Sequence, residues 1–340
     1  MKICFAIDEF KQEFGGPYTA IKQITKQLKI NKKKFLIVDK FNFSYKIEAL
    51  HNYDIFHIFG GWTPFYIKLN KLALRLKKKI IIHPSGFYEP WSLRQKQIKK
   101  TLAWHLYQKK LLLSADIIHC ASESEEKNLL KLNSNFKTRI IPFGIENEFI
   151  NKKINYKKIN KKVLFFSRIH KKKGIYDLVK AWNEIGNKEW TLNIVANKND
   201  FNLLTKYISN KKLKINAIKP FFNNKKKIHI FDNYDVLALP TKNENFGIVI
   251  LESLSRGLPV LTSNLTPWNI IQDNNAGWII NDSYLELKLI LFKIFNTKHN
   301  DFLIKKKNAI KIAKKYNWDK LFKLYLDLYS ELLKTNILIR

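Results

Sequence analysis

Two glutamates, an arginine and a lysine carry the chemistry that this sequence can do. Glu244 and Glu252 stand eight residues apart in ENFGIVILESLSRGLPV, two helical turns plus a small remainder, so both carboxylates can line one side of a helix and the loop before it. Between them Phe246, Gly247 and Ile248 open the helix, and first-turn amides have no partner inside a helix. They can donate to an anion or to a sugar hydroxyl. Earlier in the chain a strand ends in Arg168, and the basic loop Arg168-Ile-His-Lys-Lys-Lys-Gly174 leads into another helix. Arg168, Lys173 and the helix start at Gly174 place fixed positive charge at a strand end, which is what stabilising a departing diphosphate requires. As bare spacings, the glutamates equally fit solvated side chains at a helix N-terminus, and three consecutive lysines fit surface charge.

The elements around these residues favour the chemical reading. Tyr234 to Pro240 (YDVLALP) is a short apolar run closed by proline, the mark of a buried parallel strand. A polar loop, Thr241 to Asn245, precedes a helix from Phe246 to Arg256 that stops at Gly257, and Leu258 to Thr262 is the next strand. The loop and helix start therefore lie at the carboxyl end of a strand, where open parallel sheets bind ligands.

The E-x7-E pair with its FG, its GLPV turn and this strand-loop-helix-strand setting resembles the signature of the GT-B retaining glycosyltransferases of family 4, the group 1 enzymes. The resemblance implies that Glu244 lies beside a donor sugar, that Phe246, Gly247 and Ile248 contact the sugar through their amides, and that Glu252 holds the ribose hydroxyls. The R-x4-K-G spacing of Arg168, Lys173 and Gly174 is similar to the family's diphosphate-binding pair. Gly15-Gly16 resembles the family's GG loop facing the donor phosphates, although a structural turn explains those glycines nearly as well; it is not the G-x-G-x-x-G dinucleotide fingerprint. His83, ending a strand before PSGFYEPW, divides evenly between a donor-sugar contact and a structural residue, because in the most similar subgroup the basic residue falls two positions later, at Ser85 here. PFGI (Pro142 to Ile145) resembles the family's P-N-G-V segment with Phe143 in place of asparagine. Thr266-Pro-Trp268 and Gly277-Trp278 are similar to segments of bacterial transferases that build lipopolysaccharide or capsule.

The fold implied is α/β, two Rossmann-like domains facing across a cleft (GT-B): 1–152 for the acceptor, 153–317 for the donor, and a helix within 318–340 crossing back to the first. The reaction implied is transfer of a sugar from a UDP- or GDP-sugar to a glycan or lipid-linked acceptor with retained configuration. No metal is expected, Arg168 and Lys173 serving in place of the cation, and no DxD pair sits in a fitting loop. Two other classes stay open. A GT-B nucleotide-sugar epimerase would share the fold, and a basic nucleic-acid-binding protein would account for the charge.

The chain supports this organisation along its length. Strands are expected at Lys2 to Ile7, Phe35 to Asp39, Asp54 to Phe59, Lys79 to His83, Asp116 to Cys120 and Arg139 to Ile145. The first helix opens at Glu13 and runs to about Leu28, and Ser122-Glu-Ser-Glu is a capping pattern. Ser92 to Leu113 reads as one long basic helix, able to touch a membrane but as a rule packed on its sheet. His57 alternates with Ile55 and Phe59 inside a strand and reads as a core histidine. Asn151 to Lys162 is a lysine-rich break suited to an interdomain hinge. A new series of strands begins at Val163, continues at Trp190 to Ala196, Leu213 to Ala217 and Gly277 to Ile280, and ends in three helices, the last from Trp318 to Leu333.

Composition narrows the class. At 340 residues with 46% hydrophobic content the chain suits two globular domains. No apolar run spans a bilayer and the sequence enters a strand at once, so a cytoplasmic protein without a signal peptide is expected. Cys4 and Cys120 sit in apolar runs as small core residues. The net charge is +34, yet six of the 62 basic residues are arginine, and base-reading proteins lean on arginine. Nucleic acid is not expected as a partner. A coding bias toward AT-rich codons accounts for part of the lysine excess, and the remainder fits an anionic membrane surface on the inner face of the cell.

Overall fold

Continuous runs of Ile, Val, Leu and Phe give strands buried on both faces, and such strands assemble as parallel sheets under helices. The computed structural model describes residues 1–12, 15–150, 159–207, 213–221 and 223–334. Six strands form the first sheet: β1 (Lys2–Ile7), β2 (Lys34–Val38), β3 (Ile55–Phe59), β4 (Lys79–His83), β5 (Ile117–Cys120) and β6 (Thr138–Ile140), in the order β2-β1-β3-β4-β5-β6. The second sheet holds β7 (Lys162–Phe165), β8 (Thr191–Val195), β9 (Lys214–Ile218), β10 (Val236–Leu239), β11 (Val260–Ser263) and β12 (Gly277–Ile280), ordered β12-β11-β10-β7-β8-β9. Every pairing is parallel. These are two Rossmann-like sheets, as the sequence implies.

The chain divides into two compact units, Met1–Gly144 with the segment from Trp318 onward, and Ile145–Asn317. Of the lysine-rich break, residues 151–158 lie outside the described residues, as do Glu13 and Phe14 at the expected start of the first helix, which is observed from Gly16 to Ile30. The helix Trp318–Lys334 belongs to the first unit because its apolar face, Trp318, Leu321, Phe322, Tyr325, Leu328, Tyr329 and Leu332, is buried there. A side chain at Gly144 would come within 2.6 Å of the Trp318 ring, so the small residue in the loop after β6 is what lets the tryptophan seat.

One element differs from its expectation. The single helix expected over Ser92–Leu113 is broken: a short helix Pro90–Arg94 ends at Gln95, Lys96 takes a left-handed conformation (φ 53°), and the chain restarts as Gln97–Ala103, a wide π turn Trp104–Gln108, and Lys109–Leu113. The wide turn rotates Gln108 into the core, where its Oε1 accepts from the Trp62 amide at 3.1 Å and its Nε2 donates to the Tyr88 hydroxyl. Satisfying that buried amide is the physical reason for a π turn inside an otherwise α-helical run.

Both cysteines are free and buried, and burial pushes the Cys4 thiol up to about 12.

Candidate functional site

The second sheet reverses its strand order between β7 and β10, its topological switch point, and ligands of open α/β sheets bind at the carboxyl ends there. The loop after β7 carries Arg168 to Gly174; the loop after β10 carries Thr241 to Gly247. Two hydrogen bonds join them: the Lys242 amide donates to the Lys172 carbonyl at 2.7 Å and the buried Thr241 hydroxyl donates to the same carbonyl at 3.0 Å. At Gly174 (φ 70°) a Cβ would stand 1.9 Å from the Pro240 carbonyl oxygen. Only glycine lets the two strand ends approach this closely.

That approach sets the ion pair. Lys173 Nζ donates to Glu244 Oε2, with side chains 14% and 16% exposed, so the pair is sheltered yet open on one side. Arg168 is exposed and forms no ion pair among the described residues. His170 caps the short 3-10 turn Lys171–Lys173 by accepting from the Lys172 amide at 3.1 Å. Its pKa is lowered, first by partial burial and then by the Arg168 guanidinium and the neighbouring lysines, so the loop holds its positive charge on Arg168 and the lysines.

The second motif is built by its tryptophan. Trp268 Nε1 donates to the Phe246 carbonyl, and its ring packs between those of Phe246 (5.4 Å) and Tyr316 (5.3 Å). A trans peptide points its C=O and N–H in opposite directions. Fixing the Phe246 carbonyl toward Trp268 therefore aims the Gly247 amide away from it, at the open first turn of the helix Ile248–Ser255. Gly247 itself sits at φ 76°, and a Cβ there would come within 2.9 Å of Glu244 Cγ. The FG pair, the Thr266-Pro-Trp268 segment and Glu244 are one assembly.

Glu252, 2% exposed, lies in this helix and is gripped by Lys227, whose Nζ stands 2.8 Å and 3.0 Å from its two oxygens. Each carboxylate oxygen has two lone-pair directions, so either can accept one further hydrogen bond. The structure thus assigns the two glutamates to separate lysines. Lys227 was not visible in the sequence reading. It is the third lysine of Lys225–Lys227, as Lys173 is the third of Lys171–Lys173, and in each run that last residue turns to a glutamate. The signal was the helix phase: Asn223 caps Asn224–Asp232 by accepting from the Lys226 amide, which places Lys227 four residues before the buried Phe231 on the inward face. Arg256, of the same motif, has a structural role. Its guanidinium is buried and forked onto Asp232 (2.9 Å and 2.8 Å) with a third bond to the Phe149 carbonyl at 2.7 Å.

The first unit treats its titratable side chains differently. His83 ends β4 but is 1% exposed, and its Nδ1 donates to the His119 carbonyl at 2.8 Å. His119 Nε2 donates to the Ile141 carbonyl at 2.7 Å, leaving Nδ1 bare to accept from His57 Nε2 at 3.2 Å; His57 Nδ1 in turn accepts from the Tyr329 hydroxyl at 2.9 Å. Burial drives all three imidazoles below their usual range, His119 to about 4. Phe143, in the place of the family's asparagine, packs edge-on against His83 at 5.2 Å and seals this layer. Ser85 adopts φ 54° beside it. Among the described residues no group of His, Cys, Asp or Glu side chains is arranged to hold a metal ion.

Gly15 caps the first helix at φ 75°, and a Cβ at Gly15 or Gly16 would meet no atom within 4 Å. Packing does not require glycine at position 16. Glu125, missed by the sequence reading beyond its capping role, is buried and accepts from the Gly86 and Ala121 amides (3.1 Å and 2.9 Å), fixing the turn after His83.

A family model described as glycosyl transferases group 1 matches residues 146–315, half of the chain. The chain belongs to this family. The O-antigen biosynthesis glycosyltransferase WclY of Escherichia coli is 29% identical over 236 residues, 64% of this chain and 63% of that one. For the curated relatives that the chain matches, the shared region covers just under two thirds of their own length, 63% to 66%. The fold is similar to that of sucrose-phosphate synthase from Thermosynechococcus elongatus (TM-score 0.79, 15% identity, 98% of this chain and 100% of that one). It is similar also to Anabaena HepE, solved in complex with UDP and glucose (TM-score 0.73, 14% identity, 97% and 99%). The two parallel sheets match these GT-B glycosyltransferases, so this group 1 family member has the GT-B fold. The matched region carries Arg168, Lys173, Gly174, Glu244, Phe246, Gly247, Ile248 and Glu252.

Proposed function

We propose that this family member transfers a hexose from a nucleotide sugar, a UDP- or GDP-sugar, to a glycan or lipid-linked acceptor in surface polysaccharide assembly, with retention of configuration and without a metal ion. The observation that carries the reading is the Lys173–Glu244 pair at the switch point, held by the bonds of the Lys242 amide and the Thr241 hydroxyl to the Lys172 carbonyl, with exposed Arg168 in the same loop as Lys173. A diphosphate leaving at these strand ends gains charge as the glycosidic bond breaks. Arg168 and Lys173 are the donors placed to meet it, and the helix start behind Gly174 adds its dipole. Lys173 would then share its charge between the phosphate and Glu244, whose carboxylate faces the sugar. The amides of Gly247 and Ile248 orient the sugar, and Glu252 accepts from the ribose hydroxyls while Lys227 holds it in place. UDP is supported by the HepE complex, and surface polysaccharide by the E. coli O-antigen relative. Gly15 and Gly16 open the helix after β1, and in this reading His83, buried with its Nδ1 on the His119 carbonyl, is a structural residue of the first unit.

The test is donor turnover followed by proton NMR with UDP-glucose, UDP-galactose and GDP-mannose, each with EDTA and with added magnesium. Release of the nucleoside diphosphate with an α-configured product from an α-donor, equal in both conditions, is expected. A β-configured product overturns retention, abolition by EDTA overturns the metal-free route, and no turnover or thermal stabilisation by any nucleotide overturns the reading.

A further inference from the structure

The broken helical segment in the first unit leaves large apolar side chains in water. Ile98 is 79% exposed, Leu102 60%, Leu106 73% and Leu113 45%. Ile98 and Leu102, four apart in the helix Gln97–Ala103, share a face, and Leu106 in the wide turn that follows is exposed as well. The segment is anchored from its other side, by Gln108 on the Trp62 amide and the Tyr88 hydroxyl and by the Tyr107 hydroxyl donating to the Trp62 carbonyl at 2.9 Å. Its outward face is therefore fixed. From Trp91 to Ala115 the chain has no acidic residue and six cations, Arg94, Lys96, Lys99, Lys100, Lys109 and Lys110.

We propose that this face, Ile98, Leu102 and Leu106 flanked by Lys96, Lys99 and Lys110, docks on an anionic lipid bilayer, its apolar side chains entering the interface and its lysines meeting headgroup phosphates. Charge selects the occupant. A second copy of the chain would set six cations against six, and a nucleic acid would leave the leucines without apolar contact. A bilayer with anionic lipids satisfies both halves of the face. Among the described residues no helix is long and apolar enough to cross a membrane, so the contact lies in the interface plane. Total charge alone suggests attraction spread over the whole surface; the geometry confines it to one face and adds an apolar component that salt does not screen.

Sedimentation with vesicles of phosphatidylcholine alone, or with roughly a third phosphatidylglycerol, tests this with the full chain. The wild type is expected to pellet with the anionic vesicles and to remain partly bound in 0.5 M salt (about a 4 Å Debye length). The pair Leu102→Asp/Leu106→Asp is expected to bind roughly tenfold or more weakly at low salt. Lys99→Glu/Lys110→Glu is expected to lose binding likewise, and Lys188→Glu/Lys198→Glu, in the second unit, to change little. All substituted side chains are exposed, and melting temperature reports folding. Equal binding by the leucine pair, equal loss in the second-unit pair, or a wild type left in the supernatant overturns the proposal. Nucleotide-sugar turnover in solution does not depend on this face, so failure here leaves the catalytic reading standing.

Discussion

Both sheets are six-stranded and parallel, yet they treat charge in opposite ways. In the first unit His57, His83 and His119 are buried, neutral and bonded to one another, to backbone carbonyls and to Tyr329. In the second, Lys173 and Glu244 form a partly exposed ion pair in the loops after β7 and β10, and Arg168 is exposed. The difference lies in what surrounds each position. A layer roofed by Phe143 and Tyr325 cannot solvate an ion, so imidazole is held there in fixed tautomers. A loop made of polar residues and glycine can solvate one. Parallel-sheet topology supplies the location of a site, and the residues following each strand decide whether it is reactive.

The sharpest way to break this comparison is Arg168→Ala. Loss of one donor to the departing diphosphate should lower kcat by roughly 10² to 10³ while donor affinity falls much less and melting is unchanged, since the side chain is exposed. Arg168→Lys should recover only part, because a point charge lacks the fork. Steady-state turnover decides it, and full activity of the alanine variant would show that the charged strand ends are as inert as the histidine layer. Next in size, Glu252→Ala should weaken UDP or GDP binding by about 1.5 to 3 kcal/mol, by loss of an ionised acceptor from a nearly buried position. Titration calorimetry measures it, and unchanged affinity removes Glu252 from the nucleotide site. The smallest effect sharpens the other half. With folded-state values below the usual imidazole pKa, the unfolded chain takes up protons first. Stability from the histidine layer is therefore complete above about pH 6.5 and falls as pH drops toward about 4. Hydrogen-exchange protection factors in β3, β4 and β5 should fall across that interval more than those in β7 and β10; an equal fall in both sheets would place the acid sensitivity elsewhere.

The strands and their order of appearance were legible because buried parallel strands are written as short apolar runs, and the placement of Glu244 and Gly247 in the loop after β10, with Glu252 in the helix behind it, because that loop follows such a run. What escaped depends on rotation about a helix axis. Lys227 and Gln108 look like members of charged or polar stretches, and only the cap at Asn223 and the π turn at Trp104–Gln108 turn them inward. The break at Gln95–Lys96 escaped because neither glycine nor proline marks it. His57 was legible as a core residue from its alternation with Ile55 and Phe59; its bond to Tyr329, far along the chain, was not.

The helix Trp318–Lys334 completes a unit whose strands are all made before Gly144. During synthesis the first sheet must wait, with the seat of Trp318 and the Nδ1 of His57 uncovered, until every residue of the second unit has left the ribosome. The second unit, one unbroken stretch of chain, can fold in that interval. The histidine layer is thus completed by a segment made after the whole of the unit that carries Arg168 and Glu244.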